Sequence, residues 1–551
     1  MMTDKLDWEN LFFGRKSILE LIKRRVIDLK EGYRQNLALL GNRYLGKTSI
    51  LRQFLANLDD EEIIEIYLDL ENKDFDYLFS KFVGSILYNF SKVKKLDLHE
   101  DIELLLENTK KFIPHTVQEI RKIQTYITKG KLTDAYLDLI SLPEVFTVES
   151  GKFCIIILDE FHSLEDLMIP NAFKELGKKV MTQKRCIYIV ASSAANVAKK
   201  ILSERLSLLF GNFEIVEVAA FDLKTSQAFI DENLKTIKMG LHLKNFLIDF
   251  TGGHPFYLSL IVQEVIRLSE LHGQSEIFLP LLTQAIENLI FNRWGILSQH
   301  FDVMMHNLCQ QKGNRAMAAI LISLANGKHK IKDMAGGAGV KGTVVNQKMN
   351  RLIELGMVTK NGNHYYFQDK LLRFWIKYVY QKRLTSIHEN LKQQGKYFRA
   401  EIEQSVNGFQ AVSQKDLFSR IVDLLHCFDN DAFQLSGRRY KLPLFSEITP
   451  FKFENITECP FEVIKASSNE EIWIIILKEG TLLEGEVNAF LTEAKKLGER
   501  VDRRVIISLS GLDANARLRA LQEKMWIWNE KELNTLLNLF DKPYIVTSKF
   551  Q

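Results

Sequence analysis

Residues 41–48 read Gly-Asn-Arg-Tyr-Leu-Gly-Lys-Thr and match the pattern G-x-x-x-x-G-K-[ST] at every fixed position. This pattern constrains the fold as well as the ligand, because the loop that carries it joins a strand to a helix. Residues 35–40 (QNLALL) form a short apolar run suited to a buried parallel strand. Apolar residues then recur at helical spacing over residues 48–58. We therefore predict a strand, a phosphate-binding loop and a helix in that order.

The residue types of the loop explain its chemistry. Gly41 and Gly46 let the backbone turn its N–H groups toward phosphate oxygens, and the following helix adds its positive end. Lys47 is expected to reach the β- and γ-phosphates of a nucleotide and to act in catalysis, and Thr48 is expected to ligate Mg²⁺. The other loop residues predicted to contact the nucleotide are Asn42, Arg43, Tyr44, Leu45 and Ser49. A chance strand–turn–helix match is the alternative.

Two further apolar runs end in polar residues. Residues 153–160 (FCIIILDE) end in Asp159, which suits Mg²⁺, and Glu160, which suits a base that orients the attacking water; helix capping is the alternative. Residues 186–193 (CIYIVASS) end in Ser192 and Ser193, either of which senses the γ-phosphate if the strands are adjacent, or else caps a helix. With a fourth run at residues 63–70, these segments predict a parallel α/β sheet whose site lies at the carboxyl ends of the strands.

Additional motifs flank this core in a fixed order. Phe13, Gly14 and Arg15 precede the loop, and Gly253, His254 and Pro255 follow the acidic strand. The order resembles the archaeal-type ATPases, a branch of the STAND group of signalling P-loop NTPases related to the AAA+ ATPases, over roughly residues 8–380. The resemblance implies ATP and Mg²⁺ as ligands. It places the first segment near the base and ribose, and the second in a helical lid where His254 approaches the β-phosphate.

One position departs from the family pattern. Members often carry P-L-x-G-R after the third strand, with an arginine that reaches the nucleotide, but the matching residues 207–212 read Ser-Leu-Leu-Phe-Gly-Asn. Asn212 therefore stands where the arginine is expected, and Arg205 is nearby but out of register. Since loss of a transition-state cation slows phosphoryl transfer, we expect slow or partner-dependent ATP hydrolysis.

The patterns divide the chain into four predicted domains. Residues 1–221 are the ATPase core with a helical insertion at about 72–150, residues 222–313 a helical lid, residues 314–384 a winged helix, and residues 385–551 a C-terminal α/β domain. The winged helix is predicted from three helical segments followed by a hairpin around residues 360–363 (KNGN). Its third helix offers Lys341, Asn346, Gln347, Lys348 and Arg351. DNA contact and plain protein contact are both open for this domain.

The C-terminal domain resembles the PD-(D/E)xK restriction-endonuclease fold by its order strand–strand–helix–strand–helix–strand. Active members need (E/Q)-x-K on a strand, and Lys478 matches the lysine, but Ile476 replaces the acid. Glu462 or Glu470 could supply one carboxylate without completing the set. We therefore expect an inactive domain that recognises or docks a protein partner. The basic residues at 438–441 and 500–504 are either phosphate contacts or solvated surface.

Composition excludes few functions. A net charge of +4 over 551 residues neither requires nor excludes nucleic acid. Five scattered cysteines without a CxxC pair fit a reducing, cytoplasmic location, and no apolar run approaches 18 residues, so no membrane span is expected. The leading hypothesis is an ATP-binding switch with slow hydrolysis that binds ATP and ADP, as a monomer or an oligomer. The alternatives are a DNA-binding regulator with a structural nucleotide and a metal-dependent nuclease.

Overall fold

The computed structural model describes residues 12–206, 213–310, 314, 316–385, 391–452, 461–496 and 501–545. The chain forms two compact units. The first runs to Phe221 and includes the short segments His254–Phe256 and Glu354–Gly356; the second contains the other residues. Across these described ranges, no helix has both the length and the apolar character needed to cross a membrane.

A five-stranded parallel sheet forms the centre of the first unit. Its strands are β1 (Asn36–Leu40), β2 (Ile63–Asp69), β3 (Phe153–Asp159), β4 (Cys186–Ser192) and β5 (Phe213–Glu217). Their order is β2-β3-β4-β1-β5, with Leu40 opposite Ser192 and Asp69 opposite Asp159. The carboxyl ends of the phosphate-loop strand, the serine strand and the acidic strand therefore lie side by side, as the α/β P-loop prediction requires.

Helices cover both faces of this sheet. They are α1 (Lys16–Lys30), α2 (Lys47–Ala56), α3 (Phe75–Val93), α4 (Ile102–Thr109), α5 (Pro114–Thr128), α6 (Leu132–Ser150), α7 (Ala172–Thr182) and α8 (Ala195–Lys200), with a 3₁₀ helix at Phe161–Leu167 and a π turn at Ile201–Arg205. Alternate residues of β1 face opposite layers: Leu37 and Leu39 pack with α1 and α2, while Ala38 and Leu40 belong to the larger cluster with the insertion. The insertion between β2 and β3 thus consists of α3 to α6 and forms a helical layer.

The chain after Phe221 is mainly helical up to residue 354. It contains α9 (Leu223–Leu234), β6 (Lys238–Met239), α10 (Leu241–Thr251), α11 (Pro255–His272), β7 (Glu276–Ile277), α12 (Leu279–Ile286), α13 (Ile296–Cys309), α14 (Met317–Ala325), α15 (Ile331–Ala338) and α16 (Gly342–Glu354), with a π turn at Glu287–Phe291. An antiparallel hairpin follows, formed by β8 (Val358–Asn361) and β9 (His364–Phe367). Three helices and a hairpin are the secondary structure that the winged-helix prediction requires.

The last part of the chain contains helices and a mixed sheet. The helices are α17 (Lys370–Trp375), α18 (Gln381–Thr385), α19 (Leu391–Ser413), α20 (Leu417–Leu425), α21 (Glu484–Lys496), α22 (Ala514–Gln522) and α23 (Glu530–Leu539), with a π turn at Ile376–Tyr380. The strands are β10 (Asp431–Leu435), β11 (Arg438–Leu442), β12 (Glu447–Pro450), β13 (Glu462–Ser467), β14 (Ile472–Lys478), β15 (Arg503–Ser508) and β16 (Trp526–Trp528). From β13 onward the predicted order of strands and helices is confirmed, whereas the hairpin β10–β11 and strand β12 were not predicted.

The tip of the β8–β9 hairpin packs against β10. The Asn363 N–H donates to the Ala432 carbonyl at 3.1 Å, and the Asn361 side chain donates to the Gln434 carbonyl at 3.0 Å. A Cβ added to Gly362 would lie 1.7 Å from that same Ala432 oxygen, so only glycine permits this approach. The hairpin that would be the wing of a winged helix is therefore in contact with the C-terminal strands.

A buried ion cluster lies beside this contact. The Asp431 carboxylate lies 2.7 Å from Lys330 Nζ and 3.3 Å from His364 Nε2, and both Asp431 and His364 are only 2% exposed. Burial raises the pKa of Asp431, but the close approach of His364 and Lys330 and a hydrogen bond from the Asp429 amide outweigh it and lower the pKa to about 2. Asp431 is therefore charged at neutral pH and paired within the second unit.

Candidate nucleotide-binding site

The two glycines of the phosphate loop are required by the fold itself. A Cβ on Gly41 would lie 2.2 Å from the Val218 carbonyl oxygen, a distance that the rigid backbone there cannot relieve. Gly46 has a φ of +94°, in the left-handed region that favours glycine. The chain thus leaves β1 next to Val218, the residue that follows β5, and the loop then leads into α2, as the motif predicts.

Lys47 is the first residue of α2, directly after the loop, and is only 4% exposed. Its ammonium donates to the carbonyls of Gly41 and Asn42, each at 2.8 Å. Burial lowers the pKa of Lys47, and the nearby carboxylates of Glu160 and Asp159 oppose that effect. The loop therefore holds the ammonium nitrogen close to the backbone that would surround a phosphate.

Asp159 is bound by three donors. The Thr48 hydroxyl donates to Asp159 Oδ2 at 2.6 Å, the Tyr67 hydroxyl donates to the same oxygen at 2.9 Å, and the Glu160 N–H donates to Oδ1 at 3.0 Å. Burial, followed by the charge of Asp159, raises the pKa of Tyr67, so the phenol keeps its proton. The predicted pair of Thr48 and Asp159 is brought together. Tyr67 was not predicted. The sequence carried a signal for it, because Glu65, Tyr67 and Asp69 alternate with apolar residues along β2 and therefore share one face of the strand.

Glu160 follows in a left-handed conformation, with a φ of +49°. Its Oε2 accepts from the Ser193 N–H at 2.8 Å and from the Ser193 hydroxyl at 2.9 Å. Two bonds from one residue fix the carboxylate next to the end of β4. A non-glycine residue in this region is uncommon, and such residues cluster at functional sites.

His162 connects Ser192, the last residue of β4, to Glu160. Its Nδ1 lies 3.0 Å from Ser192 Oγ and 3.4 Å from Glu160 Oε2. Burial lowers the pKa of His162 against the opposing charge of Glu160, so the imidazole is neutral at pH 7. Ser192 was predicted as the phosphate sensor, and its side chain is fully buried beside His162. Sequence reasoning did not identify His162, because its only signal is the position two residues after Glu160.

The Phe13-Gly14-Arg15 segment contacts the phosphate loop. The Arg15 guanidinium donates to the Leu45 carbonyl at 3.4 Å and to the Ala219 carbonyl, and it lies 4.9 Å from the centre of the Phe221 ring. Phe13 meets the same ring edge to face, with centroids 6.0 Å apart. The segment thus lies next to the phosphate loop.

The His254–Phe256 segment also contacts the loop, within the first unit. His254 Nε2 lies 3.2 Å from the Arg43 carbonyl oxygen, and the Phe256 ring stacks on Tyr44 with centroids 4.7 Å apart. Pro255 is the first residue of α11, where its missing N–H costs nothing.

Other predicted loop residues have separate positions. The Arg43 side chain forms an ion pair with Glu71. Leu45 is buried, and Ser49 is half-buried in the first turn of α2. Residues 207–212, including Asn212, lie outside the described residues. Arg205, the neighbouring cation, pairs with Glu165 at 2.7 Å.

The predicted nuclease positions are in the mixed sheet. Lys478 Nζ pairs with Glu486 Oε1 at 2.5 Å, and Ile476 is fully buried. Glu462 lies on β13, and burial, with the charges of Asp416 and Glu479, raises its pKa. Within the described ranges, no group of three or more His, Cys, Asp and Glu side chains could hold a metal ion.

Comparison with known proteins identifies one domain. The family described as an ATPase domain predominantly from Archaea matches residues 12–261. No curated protein matches the sequence.

Similar solved structures include a Walker-type ATPase of Pyrococcus abyssi (16% identity, 66% of this chain and 96% of that chain, TM-score 0.45). They also include the ORC1 protein of Aeropyrum pernix in complex with DNA (12% identity, 66% and 92%, TM-score 0.37) and the RuvB Holliday junction branch migration motor of Thermotoga maritima (11% identity, 69% and 97%, TM-score 0.33).

The matched family, the phosphate loop between β1 and α2, and the parallel sheet with an acidic strand end agree with one another. The chain therefore carries a P-loop ATPase domain of the archaeal type.

Proposed function

We propose that the protein is an ATP-binding switch with slow hydrolysis, whose nucleotide state controls a winged helix at residues 314–384 and a C-terminal recognition domain at residues 385–551. The observation that carries the proposal is the convergence of Lys47, Thr48 and Asp159, with the Thr48 hydroxyl 2.6 Å from the Asp159 carboxylate. A buried ammonium suits the phosphates of a nucleoside triphosphate, and a hydroxyl and a carboxylate beside it suit the Mg²⁺ ion that accompanies them.

The residues present fit a magnesium ion. Thr48 and Asp159 supply a hydroxyl and a carboxylate, the oxygen ligands that Mg²⁺ prefers, and one protein carboxylate is typical where phosphates complete the coordination. Bound Mg²⁺ would neutralise charge on the phosphate oxygens. Lys47 would bind the β- and γ-phosphates, and the loop residues 41–46 would donate their N–H groups.

Glu160 is the proposed base. It would accept the proton of the water that attacks the γ-phosphate, and Ser193 would hold the carboxylate in position. Ser192 would respond to the γ-phosphate through its contact with His162. Because Asn212 stands at the position of the family's arginine, we propose that turnover is slow or depends on a partner.

Coupling would begin at the loop itself. His254 and Phe256 contact Arg43 and Tyr44, and a Cβ added to Gly356 would lie 3.3 Å from Asn42 Oδ1. Both segments belong to the first unit but are continuous with α11 and α16, respectively. A nucleotide that changes the loop would therefore favour one arrangement of these helices. It would shift the population toward the conformation for which it has the higher affinity.

Calorimetric titration of ATP into wild-type protein and Lys47→Ala tests the proposal. Loss of a charge-assisted contact is expected to weaken binding by about tenfold or more. Lys81→Ala is the matched control, since Lys81 is exposed on α3. Equal ATP affinity for Lys47→Ala and wild type, with both folded by circular dichroism, would refute the phosphate-site assignment.

DNA binding is the second candidate, favoured by the exposure of Lys341, Asn346 and Gln347 on or next to α16. Two contacts count against DNA binding, because they engage groups that would otherwise be available to DNA. Lys348 donates to the Asn314 side chain at 2.7 Å, and the tip of the β8–β9 hairpin packs against β10. Fluorescence anisotropy with duplex DNA over a salt series decides, because phosphate contacts weaken steeply with salt. No binding at low salt would remove this candidate.

A further inference from the structure

A cleft of about 290 Å³ lies in the C-terminal domain beside β16, one of the two edge strands of the mixed sheet. Its walls come from separate elements: Arg438 and Tyr440 from β11, Arg517 from α22, and Trp526 from β16. Met525, which is 4% exposed, contributes apolar surface. The cleft is distinct from the nucleotide site of the first unit and from the predicted nuclease positions.

Two of the three charged side chains that line the cleft are cationic, so its net charge is positive. Arg438 and Arg517 are exposed, and neither guanidinium has a hydrogen-bond or ion-pair partner in the parts of the chain that the structure describes. Glu532, the acidic residue among the described lining residues, already accepts from the Ser436 hydroxyl at 2.5 Å and from the Asn529 N–H at 3.2 Å. Two unpaired guanidinium groups that line one cleft from different elements suit one phosphate or carboxylate.

Two aromatic side chains, Tyr440 and Trp526, line the cleft. The rings of Tyr440 and Trp526 meet at 89° with centroids 4.7 Å apart, and both side chains are half-buried. The Arg503 guanidinium lies 5.3 Å from the centre of the Trp526 ring. Aromatic faces beside arginines are the chemistry on which proteins stack single nucleobases.

We propose that this cleft binds one 5′-nucleotide unit, with the phosphate between Arg438 and Arg517 and the base against Tyr440 and Trp526. The volume is close to the lower limit of about 300 Å³ for small-ligand sites, which restricts the occupant to a single unit. The unit is either a free mononucleotide or the phosphorylated 5′ end of a nucleic-acid strand. The proposal does not depend on the function of the ATPase domain.

The test uses the full chain with its ATPase site saturated by ADP and Mg²⁺. Thymidine 5′-monophosphate, a 5′-phosphorylated oligothymidylate and the same oligonucleotide with a 5′-hydroxyl are titrated calorimetrically. Arg438→Ala and Arg517→Ala are each expected to weaken binding of the phosphorylated probes by about tenfold. Arg439→Ala is the matched control, because Arg439 is the next residue of β11, is exposed and does not line the cleft.

The outcomes separate the two sources. Comparable affinity for the mononucleotide and the phosphorylated strand supports a free nucleotide, and much tighter binding of the phosphorylated strand supports a strand end. The proposal is overturned if no probe binds, if the 5′-hydroxyl strand binds as tightly as the phosphorylated one, or if Arg439→Ala weakens binding equally. Stronger competition by a phosphotyrosine peptide than by the mononucleotide would also overturn it.

Discussion

Removing one hydroxyl from the nucleotide site tests whether Asp159 is held as the structure indicates. Tyr67→Phe deletes the donor 2.9 Å from Asp159 Oδ2 and keeps the ring that packs on the sheet. A hydrogen bond to a charged acceptor contributes about 1.5–3 kcal/mol, and Asp159 is only 2% exposed, so solvent replaces little of it. For a unit of this size, that loss corresponds to a fall in melting temperature of about 3–12 °C.

Differential scanning calorimetry measures this change. The transition of the first unit is identified as the one that ADP shifts upward, because a ligand stabilises the unit that binds it. Tyr88→Phe is the control, since Tyr88 is 41% exposed on α3 and its substitution should change stability by no more than about 0.5 kcal/mol. If Tyr67→Phe and Tyr88→Phe shift this transition equally, the hydroxyl does not stabilise Asp159 and the reasoning fails.

Three further predictions follow from other contacts. Gly41→Ala places a Cβ 2.2 Å from the Val218 carbonyl, so we expect a loss of about 1–3 kcal/mol or more and of ATP affinity, measured by calorimetry; unchanged stability would contradict the close approach. Ser193→Ala leaves Glu160 with the N–H donor but not the hydroxyl, so kcat for phosphate release should fall about tenfold with little change in KM; an unchanged kcat would show that Ser193 does not position the base. The pKa of Asp431 is lowered to about 2 in the folded chain, below its value of about 3.9 in the unfolded chain. Its ionised form therefore stabilises the fold fully above about pH 3.9, and this contribution is lost as the pH falls from about 3.9 to about 2. Tryptophan fluorescence during denaturation should show Asp431→Asn less stable than wild type at neutral pH and equal to it near pH 2; a constant difference would contradict the pairing.

The parts of the site that could be predicted from sequence are those encoded locally. The phosphate loop combines a contiguous motif with a strand before it and a helix after it, and Asp159 directly ends the most apolar strand-like run. Four of the five strands of the parallel sheet followed from such runs, because parallel strands buried on both faces are continuously apolar. The fifth, β5, was not predicted, since its residues are half-buried or exposed and form no continuous apolar run. Local pattern therefore located Lys47, Thr48 and Asp159.

The rest depends on residues that meet only in the folded chain. Tyr67 contacts an aspartate 92 residues later, and His162 contacts a serine 30 residues later, so no short pattern joins either pair. The hairpin β10–β11 was missed for a different reason. Four of its five β11 residues (RRYKL) are charged or aromatic, so the segment indicated a basic surface more strongly than a strand.

The position of β1 in the sheet has a consequence for synthesis. This strand pairs with β4 and β5, and Leu37 meets its partner Ile189 only 152 residues later. At about 5–20 residues per second, the ribosome needs roughly 8–30 s to supply that partner. Helices α3 to α6 form from local contacts during this interval, while β1 has no strand to pair with until β4 and β5 have been synthesised. The nascent chain therefore carries an exposed apolar strand for many seconds, and chaperone protection is most useful between the synthesis of the loop and that of residue 217.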